Sequence, residues 1–287
     1  MKLNELKIDN WDDYLSLTLS SKYVSWGFRG QSDSSWPIQS TLTRYLKDFK
    51  INKDAWEHQE ERIIRIFKRK AHHYLKNIPN DDDILQWLSI MQHHGTPTRI
   101  IDFTWSPFVA AFFALHRATK ECAVWAIYPA AFDYQKKIVF ADGTEIEPKS
   151  LWPTSNEIFK KYFLESNIPF VVQGEPNAMN DRLIAQSGTF AVPSVIDKSL
   201  EEILLTYPSS DNVIFKFILN TEKIRDEAMS YFHVTNINES TLFPGIDGMA
   251  RSLAYELEYH WAYNPKNMRM NPGYDTPPYG LPKNIVK

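Results

Sequence analysis

The sequence predicts an α+β fold. Helical patterns crowd its first part, strand-like runs follow one another later, and the two do not alternate as βαβ units would. With 43% hydrophobic and 14% aromatic residues, the 287-residue chain can bury one large core. The expected organisation is a single domain over 1–263, with a helical insertion at about 40–95 and a peripheral tail at 264–287. The sheet is expected to be mixed and mostly antiparallel.

The elements follow in chain order. Asn10 before "WDDYLSLTL" sets an N-cap ahead of a helix with acids in its first turn. "VSWGFRGQ" is a buried strand that ends in Arg29, with Gly30 as a tight exit that leaves the guanidinium at a rim. Ser40 caps a short helix in "STLTRYLKDF". The longest helical signal runs from about Asp54 to Leu75, where Ile63, Phe67, Ala71 and Tyr74 mark an inward face. "NDDDILQWLSIMQHHG" is another helix, with acids at its start and Gly95 at its end. Pro97 makes "TPTRIIDFT" extended, and Ser106 followed by Pro107 opens a buried helix. "CAVWAIY", "IPFVVQ", "GTFAVPS" and "NVIFKFIL" read as strands, with a turn at Asp142-Gly143. "TEKIRDEAMSYF" and "GIDGMARSLAYELEYHW" read as the last helices.

Charge and cysteine usage exclude several classes. A net charge of −3 advertises neither nucleic acid nor an acidic membrane. The single cysteine, Cys122, rules out an internal disulfide and CxxC-type zinc sites, and its setting is that of an inert core thiol. The most apolar helical run, 108–115, falls far short of the ~20 residues that span a bilayer. The start lacks a secretory leader, so a cytoplasmic protein with no membrane partner is expected. His72-His73 and His93-His94 are adjacent pairs whose side chains diverge on a helix, and no metal site is expected.

Candidate chemistry concentrates in two polar-in-apolar segments. Residues 91–115 carry Gln92, His93, His94, Thr98, Arg99, Asp102, Thr104 and Ser106. A helix opening at Ser106 would present free N–H groups to a phosphate, and His93 is a candidate acid/base or hydrogen-bonding group. Arg99 and Asp102, three apart on an extended segment, face opposite ways, so each needs its own partner, structural or ligand. In "NDRLIAQSGTFAVPS", Arg182 and Gln186 share one face whether the segment is a helix or a strand. No GxGxxG, P-loop or GxSxG is present. The stretch 62–80 holds six Lys/Arg and no acid, which suits either a solvated face or nucleic-acid contact.

Four stretches together resemble the FRG domain family, named for the tripeptide at Phe28, Arg29 and Gly30. They are "FRGQ"; "QHHGTPTRIIDFTWSPFVAAFFA" from Gln92, with Phe103 where tryptophan is usual and Ile100-Ile101 where leucines are; "RLIAQSGTF" from Arg182; and "LFPGIDGMARSL" from Leu242. The family's occurrence in bacteria and on mobile elements implies a defence or toxin-like setting, phage defence included. More distantly, the chain is similar to ADP-ribosyltransferases of the Arg-Ser-Glu type. Arg29-Gly30 looks like their phosphate-holding arginine, the segment with Thr104 and Ser106 like their Ser-Thr-Ser strand, and "RLIAQSGTFAV" like their third motif.

That second resemblance implies a split-sheet fold and NAD as a substrate, with no cofactor required. It also implies ADP-ribosyltransferase or NAD-glycohydrolase activity. Arg182 stands where the catalytic glutamate would be, and an arginine opposes positive charge building on the sugar. Either the acid comes from elsewhere, with Glu175 in the preceding loop the nearest candidate, or the cleft is a binding pocket with different chemistry. The implied catalytic set is Arg29, His93, Arg182 and Glu175; the implied ligand contacts are Gln31, Thr98, Arg99, Asp102, Thr104, Ser106 and Gln186. The implied partner is an anionic nucleotide or NAD-like molecule, with a protein or nucleic acid as a further target. Two other readings stand beside it: a nucleic-acid-binding or cleaving module, and a non-enzymatic interaction domain in which Arg29 pairs with Asp102 as scaffold.

Overall fold

One sheet of seven strands organises the larger part of the chain in the computed structural model, which describes residues 3–130, 132, 137–139, 143, 145–208, 210–274 and 285. Its strands are β1 (Asn4–Ile8), β2 (Gly27–Gln31), β3 (Ile101–Thr104), β4 (Cys122–Ile127), β7 (Val171–Gly174), β8 (Gly188–Pro193) and β9 (Ile214–Leu219), in the order β1-β9-β4-β2-β3-β8-β7. Every neighbouring pair is antiparallel except β1 with β9. A small separate hairpin joins β5 (Ile138–Val139) to β6 (Glu145–Ile146). The mixed, mostly antiparallel sheet agrees with the sequence, but the strands are drawn from the whole chain and not from its later part. The sheet is also continuous and not split in two.

β1 escaped the sequence reading for a physical reason. It is an edge strand whose central residues Glu5, Leu6 and Lys7 are all exposed, so it lacks a buried alternating face. β8 shows the opposite case. All of its residues are buried, with Ala191 in the core cluster of Ile101, Phe103, Trp125 and Ile127. Phe190 and Val192 pack on the other side, with Leu85, Leu88, Phe163 and Phe170. A strand covered on both faces reads as one apolar run.

The helices mostly begin where their caps predict. Asn10 accepts from the N–H of Asp12 (2.7 Å) and opens α1 (Trp11–Thr18); Ser40 accepts from Thr43 (3.0 Å) and opens α2 (Thr41–Asp48). α3 spans Trp56–Ala71, shorter than expected, and Tyr74 is 85% exposed instead of facing inward. α4 (Ile84–His93) is capped by Asp83, and α5 (Pro107–Leu115) by Ser106. Short helices α6 (Asn156–Phe159), α7 (Asp181–Ala185) and α8 (Leu200–Leu204) follow, then α9 (Thr221–Val234).

Two compact units partition the chain, Met1–Tyr231 and Phe232–Lys287, so the boundary falls inside the span 1–263 expected for one domain. The second unit holds α10 (Glu239–Leu242), α11 (Ile246–Ser252) and a hairpin of β10 (Tyr263–Asn264) with β11 (Arg269–Met270). The helix expected through "GIDGMARSLAYELEYHW" therefore stops at Ser252. Asp142 of the turn expected at Asp142-Gly143 and half of the expected tail lie outside the described residues.

Candidate functional site: an arginine cleft between two strands

The sheet is thinnest between β2 and β3, where Phe28 with Thr104 is the single paired position. The antiparallel register would next set Gly30 against Asp102. Instead the Arg29 side chain crosses the opening, and its Nη1 donates to the Asp102 carbonyl (2.6 Å). Gly30 lies inside β2, so it does not form a turn out of the strand as its position suggested. Its lack of a side chain admits α5: a Cβ there would sit 2.0 Å from the Ala110 carbonyl oxygen and 2.6 Å from the Ala114 nitrogen. The tripeptide thus puts a helix against one side of the strand and a guanidinium at the gap.

A cavity of about 270 Å³ opens at this gap. Arg29, Gln31, Asp102, Thr104, Arg182 and Gln186 line it, so six of the expected site residues meet there. Arg44 adds a third guanidinium, and Trp36 and Phe113 supply aromatic surface. Among the described residues that line it, Asp102 is the one acid. Arg29 is half-buried; its Nε is buried and has no hydrogen-bond partner. Burial pushes the Arg29 pKa below its ordinary value, opposed by the charge of Asp102 and reinforced by that of Arg44. The guanidinium and the Asp102 carboxylate form no ion pair; Asp102 Oδ2 accepts instead from Gln92 Nε2 (3.0 Å).

The other lining residues are held from behind. Gln31 spends its amide on the protein, donating to the Pro37 carbonyl (3.1 Å) and accepting from Trp125 Nε1 (2.6 Å). Thr104 Oγ1 donates to the Gln186 carbonyl (2.6 Å) and accepts from the Ser106 N–H (3.0 Å). Arg182 and Gln186 lie on α7 and at its C-cap, which settles the helix-or-strand alternative in favour of the helix.

A chamber of about 20 Å³, room for one water, adjoins the cleft and shares Asp102, Arg182 and Gln186 with it. His93 and the buried Ser89, whose Oγ has no partner, also line it. Burial, His94 and Arg182 together lower the His93 pKa from its ordinary value, against a smaller opposing effect of Asp181. His93 is therefore a mostly neutral imidazole at pH 7.

Four expected site residues are elsewhere. Arg99 is fully buried: Nε donates to Glu60 Oε1 (2.8 Å), Nη2 pairs with Glu60 Oε2, and Nη1 donates to the carbonyls of Pro193 (3.2 Å) and Ser194 (2.8 Å). Its cation stacks near Phe159 and Phe163, and no ligand can reach it. Thr98, also fully buried, donates to Gln92 Oε1 (2.6 Å) and serves the framework. Ser106 is a helix cap that accepts from the Val109 N–H (3.3 Å), and it lies outside the cavity wall. Glu175 is exposed, accepts from Trp105 Nε1 (3.1 Å) and does not line the cleft.

Sequence reasoning missed Arg44, Trp36 and Glu60. Glu60 carried a usable signal, since a carboxylate one turn before Ile64 on an apolar helix face demands a buried cation. Among the described residues no group of three or more His, Cys, Asp or Glu could hold a metal ion. Burial pushes the Cys122 thiol up to about 11, which makes it a poor nucleophile. No helix is long and apolar enough to cross a membrane among the described residues.

The family model of the FRG domain matches residues 24–122, which takes in Arg29, Gln31, Arg44, Asp102 and Thr104 but ends before Arg182 and Gln186. No curated protein and no solved structure matches the chain, so the likeness to ADP-ribosyltransferases gains no support. A half-buried arginine spanning a strand gap, set by a glycine that admits a helix, is thus what the Phe-Arg-Gly tripeptide builds here, and the chain carries an FRG domain.

Proposed function

We propose that the cleft binds an anionic nucleotide through its phosphates. The observation that carries this reading is the state of Arg29. A guanidinium whose role was structural would spend its donors on a carboxylate, as Arg99 does on Glu60. Arg29 spends one on a carbonyl and leaves Nε without a protein acceptor. An unmet N–H of this kind costs about 1–3 kcal/mol, which a purely structural arginine would avoid, and the accessible part of the guanidinium lines the cavity, where a phosphate oxygen can meet it. Arg182 and Arg44 converge on the same space, and paired guanidiniums hold phosphate bidentately. Trp36, half exposed, and Phe113 offer faces on which a base can stack.

NAD is the first nucleotide to test, as a substrate for ADP-ribosyl transfer or glycohydrolysis in a defence or toxin-like role. The geometry favours binding over that chemistry, because guanidiniums surround the cavity and Glu175 stands outside it.

Calorimetry and thermal shift with ADP-ribose, NAD and adenosine, together with chromatography of NAD after incubation, test the reading. ADP-ribose is expected to stabilise the protein and adenosine to do so far less. Arg29→Lys should weaken ADP-ribose by about 10- to 100-fold while the chain stays folded. A wild-type protein that responds to no phosphorylated nucleotide sinks the proposal. A response that falls steeply with salt and needs a polynucleotide favours the nucleic-acid reading instead.

A further inference from the structure

Asp102 is out of place in an anion site. A carboxylate among three guanidiniums repels the phosphate that they attract, unless the ligand also brings a hydrogen-bond donor to it.

Its geometry is tightly held. Gln92 Nε2 donates to Asp102 Oδ2 (3.0 Å) and toward the Ile100 carbonyl (3.4 Å), two groups that only accept, and this fixes the orientation of the amide. Its Oε1 then accepts from Oγ1 of the fully buried Thr98 (2.6 Å). The main-chain carbonyl of Asp102 receives Arg29 Nη1 (2.6 Å). The residue is therefore clamped at Oδ2 and at its backbone, whereas Oδ1 has no hydrogen-bond partner among the described residues. Asp102 is only half-buried and lines both the cleft and the one-water chamber.

Resting on the nucleotide reading above, we infer that Asp102 accepts a hydroxyl of the ligand's sugar, so that the cleft selects phosphorylated ribose over bare phosphate. An ionised carboxylate only accepts, so the matching ligand group must donate. An ammonium group would meet the field of Arg29 and Arg182; a neutral hydroxyl pays no such penalty beside them. A ligand without the hydroxyl strands Oδ1 against a surface that offers it nothing, and a site built this way discriminates strongly. Gln92 is the positioning residue, because it sets which carboxylate oxygen is left for the ligand.

Calorimetric binding of ADP, 2′,3′-dideoxy-ADP and pyrophosphate to the full chain tests this. The wild type should bind ADP about 10- to 100-fold more tightly than the dideoxy compound. Asp102→Asn should erase that ratio, since the fixed Gln92 Nε2 must take the new amide's oxygen and its NH2 replaces Oδ1. Pyrophosphate binding should be kept or tightened by the same change, as a negative charge is gone. Gln92→Leu should shrink the ADP-to-dideoxy ratio and leave pyrophosphate affinity alone, which a general loosening of the fold would not do. Equal binding of ADP and dideoxy-ADP by the wild type overturns the role of Asp102, with no variant needed, while leaving nucleotide binding intact. Failure of both ADP and pyrophosphate to bind overturns the two proposals together.

Discussion

Arg29 and Arg99 carry the same side chain beside neighbouring strands, yet they belong to different parts of the protein's economy. Arg99 is fully buried, held at both ends of its fork by Glu60 and closed over by Phe159 and Phe163. Arg29 is half-buried, touches one carbonyl and shares its cavity with two more guanidiniums. Both interrupt apolar sequence, so burial of an arginine does not by itself mark a site. The count of protein acceptors does. Arg99 spends its donors on Glu60 and two carbonyls, whereas Arg29 keeps a buried Nε without an acceptor, and the proposed ligand site rests on that difference.

The sharpest way to break this contrast is to remove each arginine's support. Glu60→Ala leaves the Arg99 charge buried without its partner and should cost about 3–5 kcal/mol in urea unfolding. Replacing both, as Glu60→Leu with Arg99→Met, should recover most of that loss, because packed apolar groups need no counter-charge. Arg29→Met removes one hydrogen bond to a carbonyl and should cost only about 1 kcal/mol. Equal losses for Glu60→Ala and Arg29→Met would make Arg29 scaffold after all.

The same contrast explains what the sequence could and could not reveal. Caps were legible, because Asn10, Ser40 and Ser106 act on N–H groups two or three residues away. So were Arg29, Asp102, Thr104, Arg182 and Gln186, polar residues set in apolar runs. Thr98 and Arg99 give the identical local signal, and their burial rests on partners distant in the chain: Glu60 for Arg99, and for Thr98 the hydroxyl of Thr41, which accepts from its N–H (3.1 Å). No local pattern reports whether such a partner exists. Arg44 and Trp36 were invisible for the converse reason. They look like ordinary surface residues, and the fold alone brings them to the cleft.

Gly30→Ala sharpens the comparison at the backbone level. The added methyl would meet main-chain atoms of α5, which cannot rotate away, so α5 must shift from β2 at a cost of about 3 kcal/mol. The shift would move the Arg29 strand relative to Asp102 and weaken phosphate binding with it. Gly27→Ala is the control in the same strand. Its methyl would lie 3.5 Å from Ile127 Cγ1, ordinary van der Waals contact, and should change stability by less than about 1 kcal/mol. Urea midpoints and pyrophosphate affinities for the two variants decide it; indistinguishable variants would show that the helix does not set the gap.

The smallest expected effect separates the two regions by pH. His93 lines the chamber beside the cleft, and its pKa is held below the ordinary value by burial, His94 and Arg182. The unfolded chain therefore binds a proton that the folded one refuses in the window between the lowered value and about 6.5. Stability from this group rises with pH through that window and falls on acidification. Anion binding carries the opposite sign. A phosphate near Arg182 offsets the positive field on His93 and raises its pKa, so binding takes up protons and tightens as pH falls. For a partly exposed imidazole the gain should be only about threefold between pH 7 and 5.5. Calorimetry in buffers of different ionisation enthalpy measures the proton uptake, and His93→Gln should abolish it without touching the Arg99–Glu60 pair. An uptake that persists in His93→Gln, or none in the wild type, would remove His93 from the field of the cleft.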